Sequence, residues 1–146
     1  MKTDEDEQTN RIHLILGFME FECSPDEFTT ELQLQPSSTG IRGEEYLLPD
    51  GNRKKTRDCN HWEYEWKIRS NEFIGDYLTK FTNEIIKPRI GAIKRMNADC
   101  VTRITIVQYY YTGFNLGIGF EKEEIQILSA IDAEIDIDIY VLTENE

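Results

Sequence analysis

The chain has 146 residues and a formal net charge of −12, with 39% apolar and 30% charged residues, including two Trp, seven Tyr and seven Phe. That apolar and aromatic content excludes a wholly disordered chain, and the length suits one domain burying about 70% of its unfolded surface. No run approaches the ~20 apolar residues that cross a bilayer, and the N-terminus MKTDEDEQTN is acidic where a secretory leader is basic and then apolar.

Residues 1–10, with DEDE at 4–7, read as a disordered acidic arm, and residues 11–146 as a single domain. The first strand follows, with Ile12, Leu14, Leu16 and Phe18 alternating with His13, Ile15, Gly17 and Met19, which places it centrally in a sheet. Ser24 then offers an N-cap, Pro25 suits the first helical position and Glu27 closes a capping box, so a helix is expected over 25–34, stopped at Gln35-Pro36. The stretch SSTGIRGEE behind it lacks the lysine and the helix start of a phosphate-binding loop and reads as a connection.

A Pro-Asp-Gly-Asn turn at 49–52 and the basic cluster RKKTR at 53–57 lead into a strongly alternating strand. Trp62, Tyr64, Trp66 and Ile68 point one way, and Glu63, Glu65, Lys67 and Arg69 the other. From residue 72 to 96 the period becomes helical, with Ile74, Tyr77, Leu78, Phe81 and Ile85 in one stripe and a kink or restart at Pro88. Cys100 to Tyr111 is rich in β-branched and aromatic residues, and Thr112-Gly113-Phe114-Asn115 predicts a hairpin returning over Leu116–Phe120. A helix over 121–131 and a last strand complete the chain, the strand with Ile135, Ile137, Ile139 and Val141 facing the core and Glu134, Asp136, Asp138 and Tyr140 facing water.

Two strands with charged outer faces imply a sheet covered by helices on one side only, because a second helix layer would bury unpaired charges. The expectation is an α+β two-layer sandwich, mainly antiparallel, with ferredoxin-like (split βαβ) elements. At this point the chain resembles a bacterial domain-of-unknown-function family, number four-two-seven-nine. The resemblance rests on SPDEFTTELQLQPSSTGIRGE, the Trp62 strand, IIKPRI in the long helix and DIDIYVL near the end, and spans about Ile12 to Leu142. It implies no activity and no catalytic residue.

Charge is unevenly placed along the chain. Residues 51–103 hold 12 Lys or Arg against 7 Asp or Glu, a balance of +5, and the remainder holds 4 against 21, or −17. RKKTR beside Trp62, Tyr64 and Trp66 resembles a nucleic-acid patch, but those rings share the predicted core face and the rest of the chain repels phosphate, so no nucleic acid is expected. Cys59 and His61 supply two of the four ligands a structural zinc site needs, and the other candidates, His13, Cys23 and Cys100, lie on other elements. Neither metal nor cofactor is expected. The three cysteines are an odd, widely spaced set and read as reduced thiols in a cytoplasmic protein.

Two function classes remain. In the favoured one, a non-enzymatic module, immunity-like or regulatory, docks a basic protein on an acidic sheet face built from Glu63, Glu65, Glu134, Asp136 and Asp138. The alternative is a small-molecule binder or hydrolase that uses a cleft between the 36–61 loop and the sheet, with Arg42 and His61 as its residues.

Overall fold

Apolar alternation on both sides of one strand makes that strand the middle of the sheet. In the computed structural model, which describes residues 9–111, 113 and 117–143, β1 (Arg11–Met19) pairs antiparallel with β5 (His61–Arg69) on one side and β6 (Val101–Tyr111) on the other. β2 (Ser38–Gly40) extends the sheet beyond β5, and β7 (Ala133–Leu142) closes it beyond β6, for the order β2-β5-β1-β6-β7. Among the described residues only the β6–β7 pair is parallel, and α4 (Lys122–Ala130) lies in its crossover. The molecule is an α+β fold with a mainly antiparallel sheet. A split βαβ unit is present: β5 and β6 run parallel to each other with β1 between them, joined through the long helical segment.

The loop expected over 36–61 contains strands. Besides β2, a small hairpin joins β3 (Glu45–Leu47) to β4 (Lys54–Thr56) through the Pro49–Asn52 turn, in which Asp50 accepts from the Asn52 and Arg53 amides at 2.9 and 3.1 Å. These three-residue strands are polar and too short to show a period, so only their partners define them. The expected return strand over Leu116–Phe120 is corrected: Gly117–Phe120 is irregular backbone, and Leu116, Thr112, Phe114 and Asn115 lie outside the described residues, as do Met1–Gln8 of the acidic arm. Asn10, at the end of that arm, is fully buried; its side chain accepts from the Tyr111 amide at 2.8 Å, and its own amide donates to Asn71 Oδ1 at 2.8 Å.

The apolar side of the sheet carries the core. α1 (Pro25–Leu32), capped by Ser24, lays Phe28 against Phe18 and Phe21 with ring centroids 4.7 and 4.5 Å apart. Trp62, fully buried beside them, satisfies its indole N–H on Thr29 Oγ1 at 3.0 Å. α2 (Ile74–Phe81), a π-type turn at Thr82–Ile86, a 3-10 turn at Lys87–Arg89 and α3 (Ile90–Met96) form one irregular helical segment over 74–96. Pro88 explains the break, because it has no N–H for the Glu84 carbonyl. Arg89 supplies the missing donors. Its Nη1 reaches the Glu84 and Ile85 carbonyls at 3.4 and 3.0 Å, and its Nε donates to Leu32 O at 2.9 Å, a carbonyl left open at the end of α1. One guanidinium thereby repairs one helix and ties it to another.

Replacing Arg89 with Ala leaves half-buried carbonyls without donors, and urea unfolding followed through the fluorescence of Trp62 and Trp66 should show a loss of about 2–3 kcal/mol. Arg89→Lys should recover less than half of it, since one ammonium cannot span both helix ends. Equal stability of Arg89→Ala and wild type would remove the guanidinium from this account.

Candidate functional site

The register of the central strands determines which side chains meet on the open side of the sheet. Across β5, β1, β6 and β7 the rows run Glu63–Gly17–Arg103–Glu134, then Glu65–Ile15–Thr105–Asp136, then Lys67–His13–Val107–Asp138. All five acids singled out from the sequence, Glu63, Glu65, Glu134, Asp136 and Asp138, therefore share one face. They do not form a uniform acidic patch. Glu134 is paired with Arg103 at 3.0 Å, and Glu65 with His13 at 3.4 Å and Lys67 at 3.7 Å. Glu63 is half-buried, and burial, followed by repulsion from Glu65, pushes its pKa above the usual carboxylate value. Among the described residues, no ion pair is made by Asp136 or Asp138. Glu63, on β5, makes none either, so two of the three acids on this face without an ion pair lie on β7.

The other side of β7 corrects the sequence expectation. Ile135, Ile137, Ile139 and Val141 do share a face, but they are between 40% and 54% exposed, because β7 is the sheet edge and the helix layer does not extend over it. Alternation reports which residues share a side and not whether anything covers that side. Among the described residues nothing pairs with the outer edge of β7. The end of the open face beyond Asp138 is aromatic: Tyr140 stacks on Tyr109 at 5.1 Å, and the Arg11 guanidinium lies over the Tyr109 ring at 4.7 Å.

The alternative cleft is also present, with its residues separated. Arg42 lines a cleft of about 340 Å³ with Glu20, Glu22, Asp58, Cys59 and Asn60, whereas His61 is not among the lining residues. Asn60 ties this region together, donating to the Phe21 and Cys23 carbonyls at 3.0 and 3.2 Å and accepting from the Arg42 amide at 2.7 Å. His61 instead sits between Ser38 Oγ, 3.1 Å from Nε2, and Arg57 Nη1, 3.2 Å from Nδ1. A guanidinium only donates, so Nδ1 accepts and Nε2 carries the proton, which it gives to Ser38. That tautomer is the reverse of the one a serine nucleophile requires of its base. Among the described residues no group of three metal-ligating side chains converges. The partners of His61 were hidden in the sequence: Arg57 belonged to a run of basic residues, and Ser38 to an apparent loop.

The family model described as a domain of unknown function, DUF4279, matches residues 10–142. The chain belongs to the DUF4279 family. No curated protein and no solved structure gives a significant match to this DUF4279 chain.

Burial first, and then the Arg57 charge, hold the His61 pKa below the ordinary histidine value of about 6.5. The unfolded chain therefore takes up this proton before the folded one, and His61 lowers stability as pH falls through and below about 6.5. An NMR titration of the His61 ring should give a pKa below 6.5, and Arg57→Ala should move it upward. A His61 pKa unchanged by that substitution would contradict the geometry described here.

Proposed function

We propose that this protein is a non-enzymatic binding module that docks an extended, basic segment of a partner protein along β7. The supporting observation is the combination on one edge strand of Asp136 and Asp138 without ion pairs, a bare aliphatic row, and backbone groups with no neighbouring strand among the described residues. A partner strand alternating Lys or Arg with aliphatic residues complements all three. Its cations meet the two aspartates, its apolar side chains continue the Ile135–Val141 row, and its backbone extends the sheet. Antiparallel pairing of β7 with a second copy would instead bring the acids of the two chains together, which disfavours that occupant. The net charge of −12 likewise favours a basic protein over nucleic acid. Such a module would act in the cytosol as an immunity-like or regulatory protein.

The cleft lined by Arg42 supports the small-molecule or hydrolase reading less well. Neither the tautomer of His61 nor the absence of a carboxylate on its Nδ1 equips it as a base. In the binding reading Asp136 and Asp138 contribute contacts and Glu63 adds to the field, whereas Glu65 and Glu134 are already paired with Lys67 and Arg103.

Calorimetric titration with a synthetic peptide of alternating Val and Lys should show binding that weakens with salt, since screening acts over about 10 Å at 0.1 M. Asp136→Lys/Asp138→Lys should reduce that affinity about tenfold or more. Equal binding by the variant would defeat the reading. So would concentration-dependent dimers through β7 in sedimentation, which would make a second copy the occupant.

A further inference from the structure

A second feature lies on the opposite layer, where the start of α2 meets the start of α4. Glu124, in the first turn of α4, is only 4% exposed. One of its carboxylate oxygens accepts from Thr79 Oγ1 at 2.7 Å, and the other, equally buried, has no hydrogen-bond partner. A buried carboxylate oxygen without a donor is costly, and native proteins seldom keep one unless something fills the position. Glu124 lines a cavity of about 210 Å³ with Asp76, Glu121, Thr79, Phe73 and Phe120.

The chemistry of that lining is one-sided. Among the described residues the wall holds three carboxylates and no Lys, Arg or His, and none of the three forms an ion pair. The neighbouring Glu123 is different: it points to Lys87, with its oxygen 2.8 Å from Nζ. The Phe73 ring lies so close to Gly75 that a Cβ there would overlap it, so this aromatic wall of the cavity depends on glycine at that position. A small divalent ion would require ligands converging on one point at about 2.0–2.6 Å, and no such group of three exists among the described residues. An organic cation has no such requirement. At about 210 Å³ the cavity lies below the roughly 300–1,000 Å³ of drug-sized sites and suits an ammonium on a short alkyl chain.

We propose that this cavity binds a primary alkylammonium group. A turn of the buried Glu124 carboxylate brings its open oxygen to one ammonium N–H, Asp76 and Glu121 add negative field at the mouth, and the methylenes lie against Phe73 and Phe120. The ammonium can belong to a free small amine or to a lysine side chain, which share this chemistry. The site is separate from β7 and stands or falls independently of the function proposed there.

The test is a titration of the full chain with n-butylamine hydrochloride, read by amide chemical shifts, with n-butanol and sodium chloride at matched concentration as controls. Saturable shifts at Thr79 and Gly119–Glu124 in the millimolar range are expected from the amine alone. Glu124→Gln, which keeps an acceptor for Thr79, should weaken binding about tenfold. If that variant does not fold, Asp76→Asn/Glu121→Gln on the surface of the same cavity should still weaken it severalfold. Blocked lysine binding as well as butylamine assigns the site to lysine side chains; butylamine binding alone assigns it to free amines. Equal saturation by butanol, shifts that do not saturate, or binding unchanged in both variants would overturn the proposal.

Discussion

The double pairing of β1 is the constraint on which the rest depends. Because β5 and β6 both run antiparallel to it in unshifted register, every residue of these three strands is assigned to one of two faces. A slip of β1 by one residue would move Ile12, Leu14, Leu16 and Phe18 from the core to the open face together, at about 1.5–3 kcal/mol for each large apolar side chain exposed. The same register places Glu63, Glu65, Arg103 and His13 together on the open face. Core and surface are thus two consequences of one set of backbone hydrogen bonds.

Electrostatics then differ between the middle and the margin of that open face. In the middle the Lys67 ammonium answers Glu65, and across the β6–β7 pair the Arg103 guanidinium answers Glu134. At the margin β7 has a neighbour on one side only, and there Asp136 and Asp138 lie opposite Thr105 and Val107, which carry no charge. The exposed aliphatic row on the reverse of the strand has the same cause. An acidic edge strand also resists pairing with other copies of itself, so the property proposed to select a basic partner protects the edge in its absence.

The helix layer depends on a different repair. Pro88 opens the long helical segment, and Arg89, the next residue, closes the resulting gap while reaching the end of α1. Asn97 makes a similar tie at the far end, donating to Ile131 O beyond α4 at 2.7 Å. Polar side chains therefore hold together helices that contact one another over short lengths. Glu124 stands apart from this economy, with one oxygen used and one open.

By itself the sequence determined the α+β class, the central position of β1, the three helical regions and the sharing of one face by the β7 acids. These follow from periods of two and of 3.6 and from Ser24 and Pro25 at a helix start, all of which are local properties. Tertiary structure alone decided that Ser38–Gly40 is a strand, that Arg57 fixes the tautomer of His61, that Arg89 caps carbonyls of two helices, and that Glu124 is buried with an open oxygen. It also decided that the apolar face of β7 is bare. A side chain's periodicity is written in its neighbours along the chain, whereas Ser38 reaches His61, Thr79 reaches Glu124 and Arg89 reaches Leu32 across 23 to 57 positions, and even the Arg57–His61 contact, four positions apart, depends on how the chain turns between them.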